Sequence, residues 1–131
     1  MKKSVFLLLI MIGFLTLSST KQEVVWLDKD LGKTIQSQAI YYKVGSSLEG
    51  EVTYYFKSKT MYRKVFYVNK RQGGKFNEYY ESGELKEVGK YENGLREGNW
   101  KVYYRNGKIR QKGRYANGEK VGVWKIFYKN D

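Results

Sequence analysis

Twenty-four residues separate Gly74 from Gly98 and Gly98 from Gly122, and the same interval links Phe76, Trp100 and Trp124. The period continues through Tyr79, Tyr103 and Phe127 and through Tyr80, Tyr104 and Tyr128. Within the two complete units it also pairs Gly83 with Gly107, Leu85 with Ile109, Gly89 with Gly113, Tyr91 with Tyr115, and Asn93-Gly94 with Asn117-Gly118. A fixed period of this size describes a stack of small supersecondary units, each burying its apolar face against its neighbours. It argues against a fold built around one deep pocket.

Each unit reads as a β-hairpin, because aromatic and β-branched residues alternate with polar ones on either side of a turn. Trp100, Val102 and Tyr104 fall on one face of a strand, and Lys101, Tyr103 and Arg105 on the other. Asn106-Gly107 is expected to form a two-residue type I′ turn. Counting outward from it pairs Arg105 with Lys108, Tyr104 with Ile109, Val102 with Gln111 and Trp100 with Gly113. The same count sets Phe76 opposite Gly89, so the repeated glycine is expected to make room for the ring directly across from it.

The expected architecture is all-β: an elongated single-layer antiparallel sheet of successive hairpins, preceded by a signal peptide. The units are 50–73, 74–97, 98–121 and a partial 122–131, after a lead-in at 21–49 with one or two strands. The first unit is degenerate but in phase, with Gly50, Val52, Tyr55, Phe56, Met61, Tyr67 and Asn69 at the repeat positions. Its turn, Ser58-Lys59, is the less favourable one, since lysine tolerates positive φ poorly. The expected repeat core is Phe76, Tyr80, Leu85, Tyr91, Trp100, Val102, Tyr104, Ile109, Tyr115, Trp124, Ile126 and Tyr128. The final strand leaves an outer edge that could self-associate, with Lys125 and Lys129 as charges that deter such pairing.

The pattern Gly-x-Trp-x-x-Tyr-Tyr-x-x-Gly followed by Gly-x-Tyr-x-Asn-Gly resembles the bacterial variant of the MORN repeat, found in proteins labelled YwqK-type antitoxins. The resemblance covers residues 50–131. Trp26-Leu27-Asp28-Lys29-Asp30 leading to Ala39-Ile40-Tyr41-Tyr42 is similar to the lead-in of such repeats in envelope proteins of Bacteroidetes-like bacteria. The resemblance implies a sheet of hairpins used for protein contacts or surface attachment, with no catalytic residues. Its antitoxin label fits an exported chain poorly, because a toxin neutralised in this way would be cytoplasmic.

Export is read from the first twenty residues. Lys2 and Lys3 precede an apolar stretch from Val5 to Leu17, and Ser18-Ser19-Thr20 supplies small residues for cleavage. Thirteen residues is shorter than the roughly 20 that a spanning helix needs. The expected location is therefore periplasmic or secreted. The chain has no cysteine, which closes lipid attachment through cysteine, and no histidine. The usual nucleophile–base pairs and transition-metal ligand sets are thus missing from its composition. No enzyme activity, catalytic residue, cofactor or metal site is expected. The hairpin register does bring Glu78 opposite Glu87, but contact with basic neighbours explains that pair better than acid–base chemistry does.

Charge is distributed unevenly. Residues 50–73 carry six basic and one acidic side chain, 74–97 four and six, and 98–131 nine and two. The candidate contact surface is the polar face of unit three, with Lys101, Arg105, Lys108, Arg110, Lys112 and Arg114. Tyr79, Tyr103 and Phe127 could form an aromatic ladder on the same side. Lys101 and Lys112 are expected to face each other directly, an arrangement that costs stability unless something anionic answers it. The functional expectation is a non-catalytic exported scaffold or protein-interaction module of the cell envelope. Its first alternative is a binder of anionic lipid or glycan, its second an antitoxin-like protein. Nucleic acid is not an expected partner.

Overall fold

A computed structural model describes residues 21–129, so the expected signal peptide at 1–20 lies outside the described residues. Nine strands follow one another: β1 (Val24–Leu27), β2 (Tyr41–Val44), β3 (Gly50–Phe56), β4 (Met61–Val68), β5 (Arg71–Tyr79), β6 (Leu85–Glu92), β7 (Leu95–Tyr103), β8 (Ile109–Ala116) and β9 (Glu119–Ile126). They form one sheet whose spatial order is the chain order, and every neighbouring pair is antiparallel. A single 3₁₀ turn, Gln36–Gln38, interrupts the lead-in. The loop after β1 is fastened by Asp28, whose Oδ1 accepts the backbone N–H groups of Asp30 (2.8 Å) and Gly32 (2.9 Å). Among the described residues no helix is long and apolar enough to cross a membrane.

Two kinds of turn alternate along the sheet. Asn69-Lys70, Asn93-Gly94 and Asn117-Gly118 have positive φ at both residues and join strands paired immediately on either side, as in Glu92 with Leu95 and Ala116 with Glu119. These are the two-residue type I′ turns. Asn106-Gly107 departs from the expected two-residue turn. Only Gly107 has positive φ (84°), its N–H donates to Tyr104 O (3.0 Å), and Tyr104 N–H donates to Lys108 O (2.9 Å). The loop is thus three residues long, a turn followed by a left-handed glycine. Tyr103, not Tyr104, pairs with Ile109, and a β-bulge between Val102 and Tyr103 then restores Val102 with Gln111 and Trp100 with Gly113. Two offsets cancel, so the distal register is as counted. Gly83 and Lys59 occupy the same turn position, with φ of 105° and 75°.

The repeated glycine is filled by a different ring from the one expected. Phe76 does pair with Gly89 and Trp100 with Gly113. The space above Gly89, however, holds the indole of Trp100 from the next unit, and that above Gly113 holds the indole of Trp124. A methyl group at either glycine would overlap those rings. One unit earlier, Val65 stands at the glycine's position and Phe76 at the tryptophan's, and these two pair directly. A small residue thus takes a large ring, and a larger one takes a smaller ring. Rings then run continuously along this face, from Phe76 to Tyr91 (5.3 Å between centroids), Trp100 (5.3 Å), Tyr115 (5.8 Å) and Trp124 (5.0 Å), mostly edge to face. Such geometry is favoured by the ring quadrupoles.

Burial is concentrated toward the first half of the sheet. Val25, Leu27, Val52, Tyr54, Tyr62, Val65, Tyr67, Phe76 and Trp100 form the core, and Trp100 is only 1 % exposed. Of the residues expected in the repeat core, Phe76 and Trp100 are buried, while Tyr80, Leu85, Tyr91, Val102, Tyr104, Ile109, Tyr115 and Trp124 are half-buried. Ile126 and Tyr128 are corrected to exposed, at 59 % and 84 %. The physical reason is positional: each ring on this face is covered by the following unit, and no described strand lies beyond β9.

A candidate contact face on the third repeat

The face that carries Trp100 satisfies its own charges. Glu78, almost fully buried, meets Arg63 at 3.4 Å and Lys86 at 3.9 Å, and Glu87 meets Arg96 at 2.6 Å. The two acids do lie opposite each other, and each is taken up by basic neighbours. Arg96 also spreads over the Trp100 ring (4.2 Å) and approaches Tyr115 (5.3 Å). Burial is the largest single influence and works against its charge, but the Glu87 carboxylate and its hydrogen bond, together with Tyr91 and Tyr115, outweigh it and raise the guanidinium pKa. Lys120 takes the same place over Trp124 at 4.4 Å. In the lead-in, burial, together with the charge of Lys33, lowers the pKa of Lys43, whose Nζ donates to Ser47 O at 3.3 Å. Glu78, Glu87, Arg96 and Lys43 are thus engaged within the fold, while Lys120 covers its ring from the exposed side.

The opposite face of unit three is built differently. Lys101 on β7 lies directly across from Lys112 on β8, and Lys112 directly across from Lys125 on β9. Three lysines thus form a row perpendicular to the strands, spanning two interstrand spacings, or about 10 Å. They line a depression of about 290 Å³ together with Asn99, Trp100, Gly113, Arg114 and Val123. Among the described residues, none of Lys101, Lys112, Lys125, Arg110 and Arg114 has a carboxylate within ion-pair distance. Val123 is 84 % exposed beside the row.

Of the candidate contact residues, Lys101, Lys112 and Arg114 come together here. Arg105 and Arg110 do not. Their guanidinium groups rest over the rings of Tyr80 (5.2 Å) and Tyr104 (5.9 Å), because the bulged turn carries them away from the row. Lys108 borders a second depression near the turn, which Lys112, Phe127 and Tyr128 also line. Among the described residues no ring–ring contact joins Tyr79, Tyr103 and Phe127, which stand one repeat apart along the sheet. Tyr79 instead accepts from the Asn77 amide (3.3 Å), and the Lys112 ammonium lies 5.8 Å from the Phe127 ring. Tyr103 and Phe127 contribute backbone carbonyls that accept the hydroxyls of Tyr80 (2.7 Å) and Tyr104 (2.8 Å), one unit back.

The same hairpins answer the question of kinship. The sequence pattern of the MORN repeat variant matches residues 48–69, 72–93 and 96–117, half of the chain. The chain belongs to this family. Each match of the MORN repeat variant begins near the end of one hairpin unit and closes on the next two-residue turn, so its three copies follow the three type I′ turns at Asn69, Asn93 and Asn117. No curated protein matches the chain. Lys125 and Val123 lie beyond the last match and outside the candidate surface expected from sequence. The signal was present in the 24-residue step from Lys101 to Lys125, but placing Lys125 beside Lys112 requires the register across an irregular β8–β9 ladder.

Proposed function

We propose that this MORN-repeat protein is a non-catalytic contact module of the cell envelope, exported by its first twenty residues and engaging its partner through the polar face of unit three. The observation that carries this reading is the contrast between the two faces. The Trp100 face uses its rings and ion pairs internally, whereas the opposite face holds a row of lysines without a carboxylate partner among the described residues, beside exposed apolar side chains at Val123 and Phe127. Contact surfaces combine such apolar anchors with a charged rim. The reading as a binding surface rests on this combination of charge and exposed apolar side chains.

The test is photocrosslinking in whole cells from position 127, with the full chain and with Lys101→Glu/Lys112→Glu. The expected outcome is a discrete crosslinked species in the envelope fraction that the charge reversal removes, from a protein whose mass is lower by about twenty residues. An intact cytoplasmic protein would overturn the envelope reading. The second reading, attachment to an anionic lipid or glycan surface, is favoured by the net charge of this unit, and it predicts binding that weakens steeply with salt.

A further inference from the structure

The polar face contains one arrangement that a merely solubilising surface does not explain. Like charges set directly across a ladder destabilise a sheet, and here two such pairs share one residue, Lys112, which is itself half-buried. The first unit shows the ordinary solution. There Lys64 finds Glu51 at 3.7 Å on the same face. Two periods later, Lys64 corresponds to Lys112 and Glu51 to Asn99, so the carboxylate has given way to a neutral amide while the lysine has stayed. Lys101 and Lys125 have meanwhile been added on either side.

We propose that the Lys101–Lys112–Lys125 row binds an oligophosphate-type anion, several phosphate groups linked within about 10 Å of one another. The inference rests on the reading that this face is the contact surface, and names the chemistry it recognises. A single phosphate reaches one or two of these ammonium groups. A chain of phosphates lying across the strands meets all three, with the Arg114 guanidinium as a planar fork and the Asn99 amide as a neutral donor at the rim. The ligand could come from a free oligophosphate or from phosphates closely spaced along an envelope polymer or lipid headgroup, since the recognised chemistry is shared.

The experiment uses the full chain with sodium tripolyphosphate, followed by calorimetric titration and thermal melting at low and at physiological salt. Citrate supplies a carboxylate anion of comparable charge, and phosphatidylglycerol vesicles supply dispersed single phosphates. Tripolyphosphate is expected to bind once per chain and to raise the Tm, to bind at least tenfold more tightly than citrate, and to displace the protein from any vesicles it binds. Lys112→Gln is expected to weaken tripolyphosphate binding at least tenfold while raising the Tm of the free protein, which a structural role for Lys112 would not do. Lys70→Gln, on a turn of the first unit, should bind within twofold of the parent. Absent binding, equal binding of citrate, an unaltered Lys112→Gln variant, or vesicle binding that tripolyphosphate does not compete would each overturn the proposal. The contact-face reading would survive any of these if crosslinking from position 127 persisted.

Discussion

The Trp100 indole occupies the space that a side chain on Gly89 would need. This couples the two residues across neighbouring repeats, and the first unit supplies its natural counterpart, Val65 paired with Phe76. Gly89→Val alone should cost about 3 kcal/mol from overpacking, and Trp100→Phe alone about 1–2 kcal/mol from the space left behind. The double variant rebuilds the Val65–Phe76 combination. It should be more stable than the sum of the two losses allows, with a coupling of at least ~1 kcal/mol in denaturant unfolding; strict additivity would refute the relationship.

Lys59 holds a left-handed backbone, φ 75°, where the next two units have Gly83 and Gly107. A side chain in that conformation costs roughly 1–2 kcal/mol, while glycine adds about 0.4–1 kcal/mol of unfolded-state entropy. The strain is the larger effect. Lys59→Gly should therefore stabilise the protein by roughly 0.5–1 kcal/mol, and Gly83→Ala should destabilise it, both read from shifts in the urea midpoint.

The hydroxyls of Tyr80 and Tyr104 reach the carbonyls of Tyr103 and Phe127 in the following unit. Phe56 stands at the same place one unit earlier, so the ring alone is accommodated there. Tyr80→Phe should cost about 1 kcal/mol, and Tyr104→Phe less, because that bond is exposed to water. A larger loss at position 104 than at position 80 would contradict this account.

Tyr54 and Tyr67 share a buried hydroxyl–hydroxyl hydrogen bond of 2.7 Å. Burial, then the bond to Tyr67, raises the Tyr54 pKa above its usual range, and burial does the same at Tyr62. The folded state therefore retains protons that the unfolded chain gives up at pH about 10. Stability from these groups is fully present below that pH and falls as pH rises above it. Alkaline titration followed by tyrosinate absorbance should show a cooperative unfolding step, and Tyr54→Phe should make that step shallower.

Much of this fold is legible in the sequence because the repeat is strict and hairpin pairing is a matter of counting. The distal register at Trp100 and Gly113 follows from the position of the turn. The turn itself does not, since Asn-Gly suits both a two-residue loop and a three-residue loop with a bulge, and the two differ by offsets that cancel further along. Nor does a period reveal which neighbour fills a glycine, because Gly89 recurs in step with both Phe76 before it and Trp100 after it. The lysine row is half legible: Lys101 opposite Lys112 follows from one hairpin, but Lys125 enters only across the ladder between units. The expected Ile126 and Tyr128 burial failed because periodicity assumes a next unit, whereas burial depends on whether a strand is there.

Because the strands lie in space in the order in which they are translated, no unit threads through or reaches around another. Adding or removing one 24-residue copy would leave every remaining pairing intact and change only the protein's length, by two strand spacings or about 10 Å. A chain built this way is a ruler graduated in repeats, and its reach can be reset in a single duplication without redesigning the interior.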